Sequence, residues 1–356
     1  METYDLSSRM RRLIKMMERV NASTSDSSLP AHEENEDTSI SHALLARKLL
    51  GKMPSGITSK TFIIPVKDGM ISGYLFEQQR SQQVMDLTPL IIYYHGGGWT
   101  WGNMELYNLV CANLASLTGA SVLSVDYRLA PQHKFPTAVE DCYDTLLWAA
   151  AGCRYWKTDH DRIYLIGDSA GGNLAAVVSR LSRDRKGPPI AGQVLIYPVT
   201  DGRMRTESHE LFKDSPTLTD KLMSNCIANY IREPKDILNP LFSPLLAKDH
   251  SRLPETLIIG AQYDPLRDDG RLYAEALLSA DTPAKYLEVK QTVHGFFLYP
   301  KATGTEEAES AIVQFVGGRP VEQVALVSRK EWNKAQRQER KQIKRQAKHY
   351  IDATIE

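Results

Sequence analysis

The stretch from Arg162 to Leu181 narrows the choice of fold more than any other part of the chain. Arg162-Ile-Tyr-Leu-Ile-Gly167 is a short, β-branched run that reads as a buried strand. Asn173-Leu-Ala-Ala-Val-Val-Ser-Arg-Leu181 has the composition and length of a helix. Between them stands Gly167-Asp168-Ser169-Ala170-Gly171-Gly172, so Ser169 sits on a strand-to-helix turn. Such a turn is sharp enough to want Gly167 and Gly171 for their missing side chains, and it holds the serine in a strained backbone geometry with its hydroxyl pointing out of the sheet. The helix that follows aims unpaired N–H groups and its dipole at the same point, where they favour a developing oxyanion.

The rest of the chain repeats the rhythm. Eight strands are expected, at Lys60 to Val66, Met70 to Phe76, Leu90 to Tyr94, Ser121 to Asp126, Ile163 to Gly167, Gln193 to Tyr197, Leu257 to Ala261 and Lys285 to Val289. From the third onward they alternate with helical segments, which implies crossover connections and an α/β fold with a mostly parallel sheet. The short Lys67-Asp68-Gly69 link makes the first two an antiparallel hairpin.

Three further words complete a chemical set. His95-Gly96-Gly97-Gly98-Trp99 follows the apolar strand Pro89 to Tyr94, and three glycines in a row let backbone amides turn toward a ligand. Gly96 and Gly97, with the N–H of Ala170, are the expected oxyanion hole; His95 is expected to hydrogen bond within the loop. Asp264 lies just past the strand Leu257 to Ala261, where ligands gather in open α/β sheets. Asp268, Asp269 and Asp201 are its rivals. His294 lies beyond the last strand. The order Ser, Asp, His is that of an α/β-hydrolase triad, whereas other serine hydrolase folds run in other orders. In that arrangement His294 takes the proton of the Ser169 hydroxyl and returns it to the leaving alcohol, while Asp264 fixes the tautomer.

These words together resemble the hormone-sensitive-lipase-like family of α/β-hydrolases, which includes many microbial carboxylesterases. The resemblance rests on His-Gly-Gly-Gly-Trp at 95 to 99, Asp-Tyr-Arg-Leu-Ala-Pro at 126 to 131, Phe-Pro at 135 to 136, Gly-Asp-Ser-Ala-Gly-Gly-Asn-Leu-Ala at 167 to 175, Asp-Pro-Leu-Arg-Asp at 264 to 268 and His-Gly-Phe at 294 to 296. It runs from about Thr61 to Val316. Gln132 and Thr137 stand where the family more often has Glu and Ala, a departure in a supporting loop. The resemblance implies hydrolysis of short to medium acyl esters with no metal and no organic cofactor. An amide, a lactone or an acetylated sugar is open to the same triad, since the leaving group is not read by the motifs. A non-catalytic small-molecule receptor on this scaffold is the alternative of another class, and it would want the histidine gone.

Composition removes other partners. With 43 basic and 43 acidic residues among 356, no global field recruits nucleic acid or an acidic surface. The cysteines at 111, 142, 153 and 226 match neither a zinc ribbon nor a C-x-x-C pair, and free thiols suit a reducing cytoplasm. The N-terminus lacks the apolar run of a signal peptide, and no stretch of about 18 apolar residues is available to span a bilayer. A cytoplasmic protein is expected.

Outside the core, three regions stand apart. Residues 1–52 are expected to form cap helices, one carrying Leu6, Met10, Leu13, Met17 and Val20 at helical spacing and a second from about Ser39 to Leu50, joined by a Ser-, Asp- and Glu-rich loop over Asn21 to Asp37. Against that cap reading, ordinary core packing or a dimer face accounts for the Leu6 to Val20 stripe equally well. The core spans 53–318, with a cap insertion at about 202–238 in which Leu218 to Ile231 is helical. Such a cap excludes water and selects substrate size. Trp99, Trp101, Tyr197 and Phe296 are candidate apolar walls of the acyl pocket. Residues 319–356 read as a basic helical extension, with nine Lys or Arg against two Glu between Arg329 and Lys348. It is a solvated helix, a subunit contact of a homo-oligomer through Val321, Val324, Trp332 and Ile343, or a site for an anionic partner.

Overall fold

The computed structural model describes residues 4–24, 52–79, 86–102 and 104–321. The helix expected over 39–50, nearly all of the loop over 21–37 and the basic extension past 321 lie outside the described residues. All eight expected strands form: β1 (Ile57–Val66), β2 (Gly69–Gln78), β3 (Thr88–Tyr94), β4 (Ser121–Asp126), β5 (Thr158–Asp168), β6 (Gly192–Ile196), β7 (Glu255–Tyr263) and β8 (Ala284–Val293). They make one sheet in the order β1-β2-β4-β3-β5-β6-β7-β8. β1 and β2 form the expected antiparallel hairpin, β2 also runs antiparallel to β4, and every pairing from β4 to β8 is parallel. Asp68 in the hairpin turn has φ 60, a left-handed conformation that Asp tolerates better than most residues.

Successive residues of a strand face opposite sides of the sheet, and each side has its own core. Leu90, Ile92 and Tyr94 pack with α3 (Thr137–Trp156), α4 (Ala170–Arg185) and α7 (Arg267–Ser279) on one side. Ile91 and Tyr93 pack with α1 (Ser8–Thr24), α2 (Met104–Thr118) and α8 (Thr305–Val316) on the other. Strands buried on both faces lose the alternating pattern and read as continuous apolar runs, which is why β3 was legible as Pro89 to Tyr94. β5 is longer than expected at its start, because Asp159-His160-Asp161-Arg162 extend the strand with side chains largely exposed to solvent.

The stripe on α1 is taken up by the chain itself. Leu6, Met10, Leu13 and Ile14 are buried in the second core, and the Tyr4 ring sits 5.2 Å from Tyr263 and 6.0 Å from Phe212. Of the readings left open for the stripe, core packing describes these residues. The side chain of Val20 lies outside the described residues, and the helix runs on to Thr24, past the expected start of the loop. The segment between β6 and β7 contains α5 (Glu207–Leu211) and α6 (Asp220–Tyr230). α6 occupies most of the expected Leu218 to Ile231 span and begins where Thr219 accepts the Leu222 N–H at 3.1 Å, a side-chain cap for an otherwise orphaned donor. Val321, the one described member of the proposed subunit stripe, is buried in the second core. No helix among the described residues is long and apolar enough to cross a membrane.

Candidate active site

The strand order brings the important loops together. From β3 the chain crosses to β4 on one side and then to β5 on the other, so the loops leaving β3 and β5 diverge at a topological switch point, where open α/β sheets bind ligands. Tyr94 pairs with Gly167 at the carboxyl ends of those strands. β6, β7 and β8 follow in order, each delivering its own loop to the same edge.

Ser169 occupies the sharp turn between β5 and α4, with φ 55 and ψ −117, a conformation that L-residues hold only under constraint. The crowding explains the flanking glycines. A Cβ on Gly167 would lie 2.3 Å from the Gly171 carbonyl oxygen, and one on Gly171 would lie 1.9 Å from that of Tyr94. The Ser169 N–H donates to the Ile196 carbonyl at 2.8 Å, fixing the turn to the neighbouring strand end.

The three side chains expected to work together do meet. His294 Nε2 is 3.0 Å from Ser169 Oγ, and His294 Nδ1 is 2.8 Å from Asp264 Oδ2. Asp264 is fully buried, and its other oxygen accepts the Leu266 N–H at 2.8 Å. Its rivals are engaged elsewhere. Asp269 accepts the Thr200 and Asp201 amides and faces His209, Asp268 accepts the Ser208 amide, and Asp201 pairs with Arg203. Burial raises the Asp269 pKa against the pull of His209.

The glycine run differs from expectation at its first member. The Gly96 N–H donates to the Asp168 carboxylate at 3.0 Å, so it is not free to face a ligand oxygen. Gly96 is therefore withdrawn as an oxyanion donor. The amides of Gly97, with φ 106, and Gly98, with φ 57, have no acceptor among the described residues, and Ala170 opens α4, where first-turn N–H groups lack intrahelical acceptors. Space permits only glycine here, since a Cβ on Gly97 would lie 2.0 Å from the Trp101 carbonyl oxygen and one on Gly98 would lie 2.5 Å from Cys226 Sγ on α6. His95 bonds within the loop as expected, through Nδ1 and the Gly96 carbonyl at 2.7 Å. Burial lowers its pKa to about 4, so the ring is neutral. Tyr127 stacks on that ring at 4.2 Å and donates its hydroxyl to the His95 carbonyl at 2.8 Å.

The expected apolar walls separate into two kinds. Trp101 is half exposed and touches Gly97. Trp99, Tyr197 and Phe296 present almost no surface to solvent, and a side chain that water cannot touch is packing rather than a pocket wall. Trp99 stacks on Tyr230 of α6 at 4.7 Å and lies 5.1 Å from Phe242. Tyr197 backs the His294 ring at 4.6 Å, and Phe296 in turn lies 5.7 Å from Tyr197. These three hold the loops in place.

Two further contacts escaped sequence reasoning. Ser215 Oγ donates to the Tyr263 carbonyl at 3.0 Å, and Thr217 Oγ1 donates to the His294 carbonyl at 2.8 Å. The segment between β6 and β7 thus grips both loops that carry the acid and the base. A hydroxyl residue beside Pro216 gives no periodic or motif signal of this. Asp168 and Tyr127 did lie inside quoted motifs, but their partners depend on strand order. The arrangement as a whole can ionise a hydroxyl through an imidazole and offer amide donors beside it.

Comparison with known proteins agrees with this chemistry. A family model described as the alpha/beta hydrolase fold matches residues 91–298. An arylesterase of Saccharolobus solfataricus is 39% identical over 215 residues, covering 60% of this chain and 70% of its own. A putative alpha/beta hydrolase of Acanthamoeba polyphaga mimivirus is 32% identical over 259 residues, covering 71% of this chain and 74% of its own. Among solved structures, an esterase of Pyrobaculum calidifontis superposes with a TM-score of 0.77 at 34% identity, covering 88% of this chain and 98% of that one.

Proposed function

The chain belongs to the alpha/beta hydrolase fold family, the hormone-sensitive-lipase-like branch that its motifs resemble, and from that premise we propose how it hydrolyses carboxylic esters. Ser169 is the nucleophile, His294 the general base and then acid, and Asp264 the group that orients the imidazole. The observation that carries this reading is the chain of two short contacts, Ser169 Oγ to His294 Nε2 at 3.0 Å and His294 Nδ1 to Asp264 Oδ2 at 2.8 Å.

Ser169 Oγ attacks the ester carbonyl carbon while Nε2 accepts its proton, and the carbonyl oxygen takes up the negative charge. The N–H groups of Gly97, Gly98 and Ala170 receive that oxygen; a single donor of this kind is worth about 3 to 4 kcal/mol. The imidazolium gives its proton to the departing alkoxide, leaving an acyl-enzyme. A water activated by the same imidazole then releases the acid and restores Ser169.

The residues over 202–238 act as a lid over this edge of the sheet, and residues 4–24 brace it, a division into cap and core that the contacts of Ser215, Thr217 and Tyr4 support. Trp101, half exposed against Gly97, is the apolar lip that the acyl chain meets first. The substrates are short to medium acyl esters. Four buried, unpaired cysteines favour a reducing compartment, and the cytoplasm is the assigned location. The receptor alternative finds no support, because the base stands within hydrogen-bond reach of the nucleophile.

The test is a series of p-nitrophenyl esters from acetyl to palmitoyl, with Ser169→Ala alongside. Turnover is expected to peak at or below the middle of the series and to vanish in Ser169→Ala at unchanged melting temperature. Undiminished turnover in Ser169→Ala would overturn the assignment, and a maximum at the longest chain would overturn the substrate class.

A further inference from the structure

Beside the nucleophile stands a buried acid that the reaction itself does not use. Asp168 is 2% exposed and shares its peptide bond with Ser169. Its Oδ1 accepts the Tyr93 hydroxyl at 2.8 Å and the Gly96 N–H at 3.0 Å, and its Oδ2 accepts the Tyr107 hydroxyl at 3.3 Å. All three are donors, a set that matches a carboxylate, which only accepts. The fit at Gly96 is close enough that a Cβ there would lie 2.5 Å from Oδ2. Among the described residues no other side chain bonds an amide of the glycine run, so this carboxylate ties the nucleophile turn directly to the loop opposite.

Resting on the assignment of Ser169 as nucleophile, we propose that Asp168 is a positioning residue, whose charged carboxylate holds Gly96 so that the next two amides face the oxygen of the reacting ester. Donation to a charged acceptor is roughly twice as strong as to a neutral one, so the hold tightens when Asp168 is ionised. The titratable groups facing it are Tyr93 from β3, Tyr107 and Cys111 from α2, Tyr127 from beyond β4, Tyr197 from beyond β6 and His294 from beyond β8. Burial raises Asp168 to about 6, and its donors together with His294 limit the rise. Acidification through that range therefore loosens the hold on the loop. The effect falls on the transition state, because the amides it aims are called upon only when the oxyanion forms.

The experiment measures kcat and KM for p-nitrophenyl butyrate against pH in the wild type, Asp168→Asn, Tyr107→Phe and Ser169→Ala. Asp168→Asn is a permanently uncharged isostere, and Tyr107 can rotate its hydroxyl to accept from the new amide. At pH 8 its kcat should fall by about 10- to 100-fold with KM within about twofold. The wild-type acid limb should contain a component with a midpoint of about 6 that is absent from Asp168→Asn. Tyr107→Phe removes a donor to the carboxylate, so that midpoint should move to higher pH. Wild-type kcat and an unaltered acid limb in Asp168→Asn would overturn the inference. Should Asp168→Asn fail to fold, an unmoved midpoint in Tyr107→Phe overturns it alone. Turnover surviving in Ser169→Ala would instead remove the underlying reaction assignment, a distinct failure.

Discussion

Asp264 gives one oxygen to His294 and the other to the Leu266 amide, so an amide in its place must turn its NH2 toward one of two groups that need an acceptor. Asp264→Asn is expected to keep the fold and lower kcat by about 10³- to 10⁴-fold, since the wrong imidazole tautomer then faces Ser169; steady-state kinetics beside a thermal melt checks both halves. Gly97→Ala tests the loop opposite. Its Cβ would meet the Trp101 carbonyl oxygen, and the displacement should lower kcat by about 10²-fold, the scale of a lost oxyanion donor, while a wild-type kcat would show that the Gly97 amide is not used. At this scale the sequence was legible wherever the chemistry lies in the side chain itself. Ser169, Asp264 and His294 are readable because hydroxyl, carboxylate and imidazole have few alternatives in that order. The backbone donors are a different matter. Which of three consecutive glycine amides turns outward depends on Asp168, whose reach to Gly96 follows from β3 lying beside β5, and no local pattern records it.

Between elements, the segment joining β6 to β7 is tied to the site by hydroxyl-to-carbonyl bonds and by aromatic stacking. Ser215 and Thr217 hold the carbonyls of Tyr263 and His294, so Thr217→Val, which keeps the shape and removes the donor, should lower kcat by about tenfold and stability by about 1 kcal/mol. A denaturant titration with kinetics on the same sample separates the two effects. Trp99 on Tyr230 joins the glycine loop to α6. Tyr230→Ala should remove about 3 kcal/mol of stability, and an unchanged melting point would contradict the packing role given to these rings. The strands were legible because parallel strands buried on both faces leave apolar runs, as in β3 and β7. The start of β5 was not, because Asp159 to Arg162 lie where its pairing with β3 breaks register, between Thr158 and Ile163, and their side chains remain largely exposed. α1 carried a true stripe, but periodicity alone assigns no partner to it. Its residues share the second core with Phe212 and Tyr263, which Tyr4 just ahead of the helix also meets, and residues so distant in sequence give no sign of meeting.

Across the whole molecule, the described hydrogen-bond partners of Ser169, His294 and Asp264 include Asn173 on α4, Leu266 and Arg267 at the start of α7, and Thr217 in the segment between β6 and β7. Deleting residues 1–24 uncovers Phe212 and Tyr263 beside the acid loop and should lower the melting temperature by at least about 5 °C, given about 1.5 to 3 kcal/mol for each large apolar side chain withdrawn from the core. Deleting residues 322–356 should leave kcat/KM within about twofold, because the described contacts that hold the triad are all made by residues outside that segment. The central claim is that three side chains from the ends of β5, β7 and β8 make one hydroxyl an attacker. A fluorophosphonate, which reacts only with an activated serine, tests it most directly. Mass spectrometry after labelling of the folded protein should find one adduct, on the peptide bearing Ser169, and none in His294→Ala; an unlabelled wild type, or an adduct on another serine, would contradict the account.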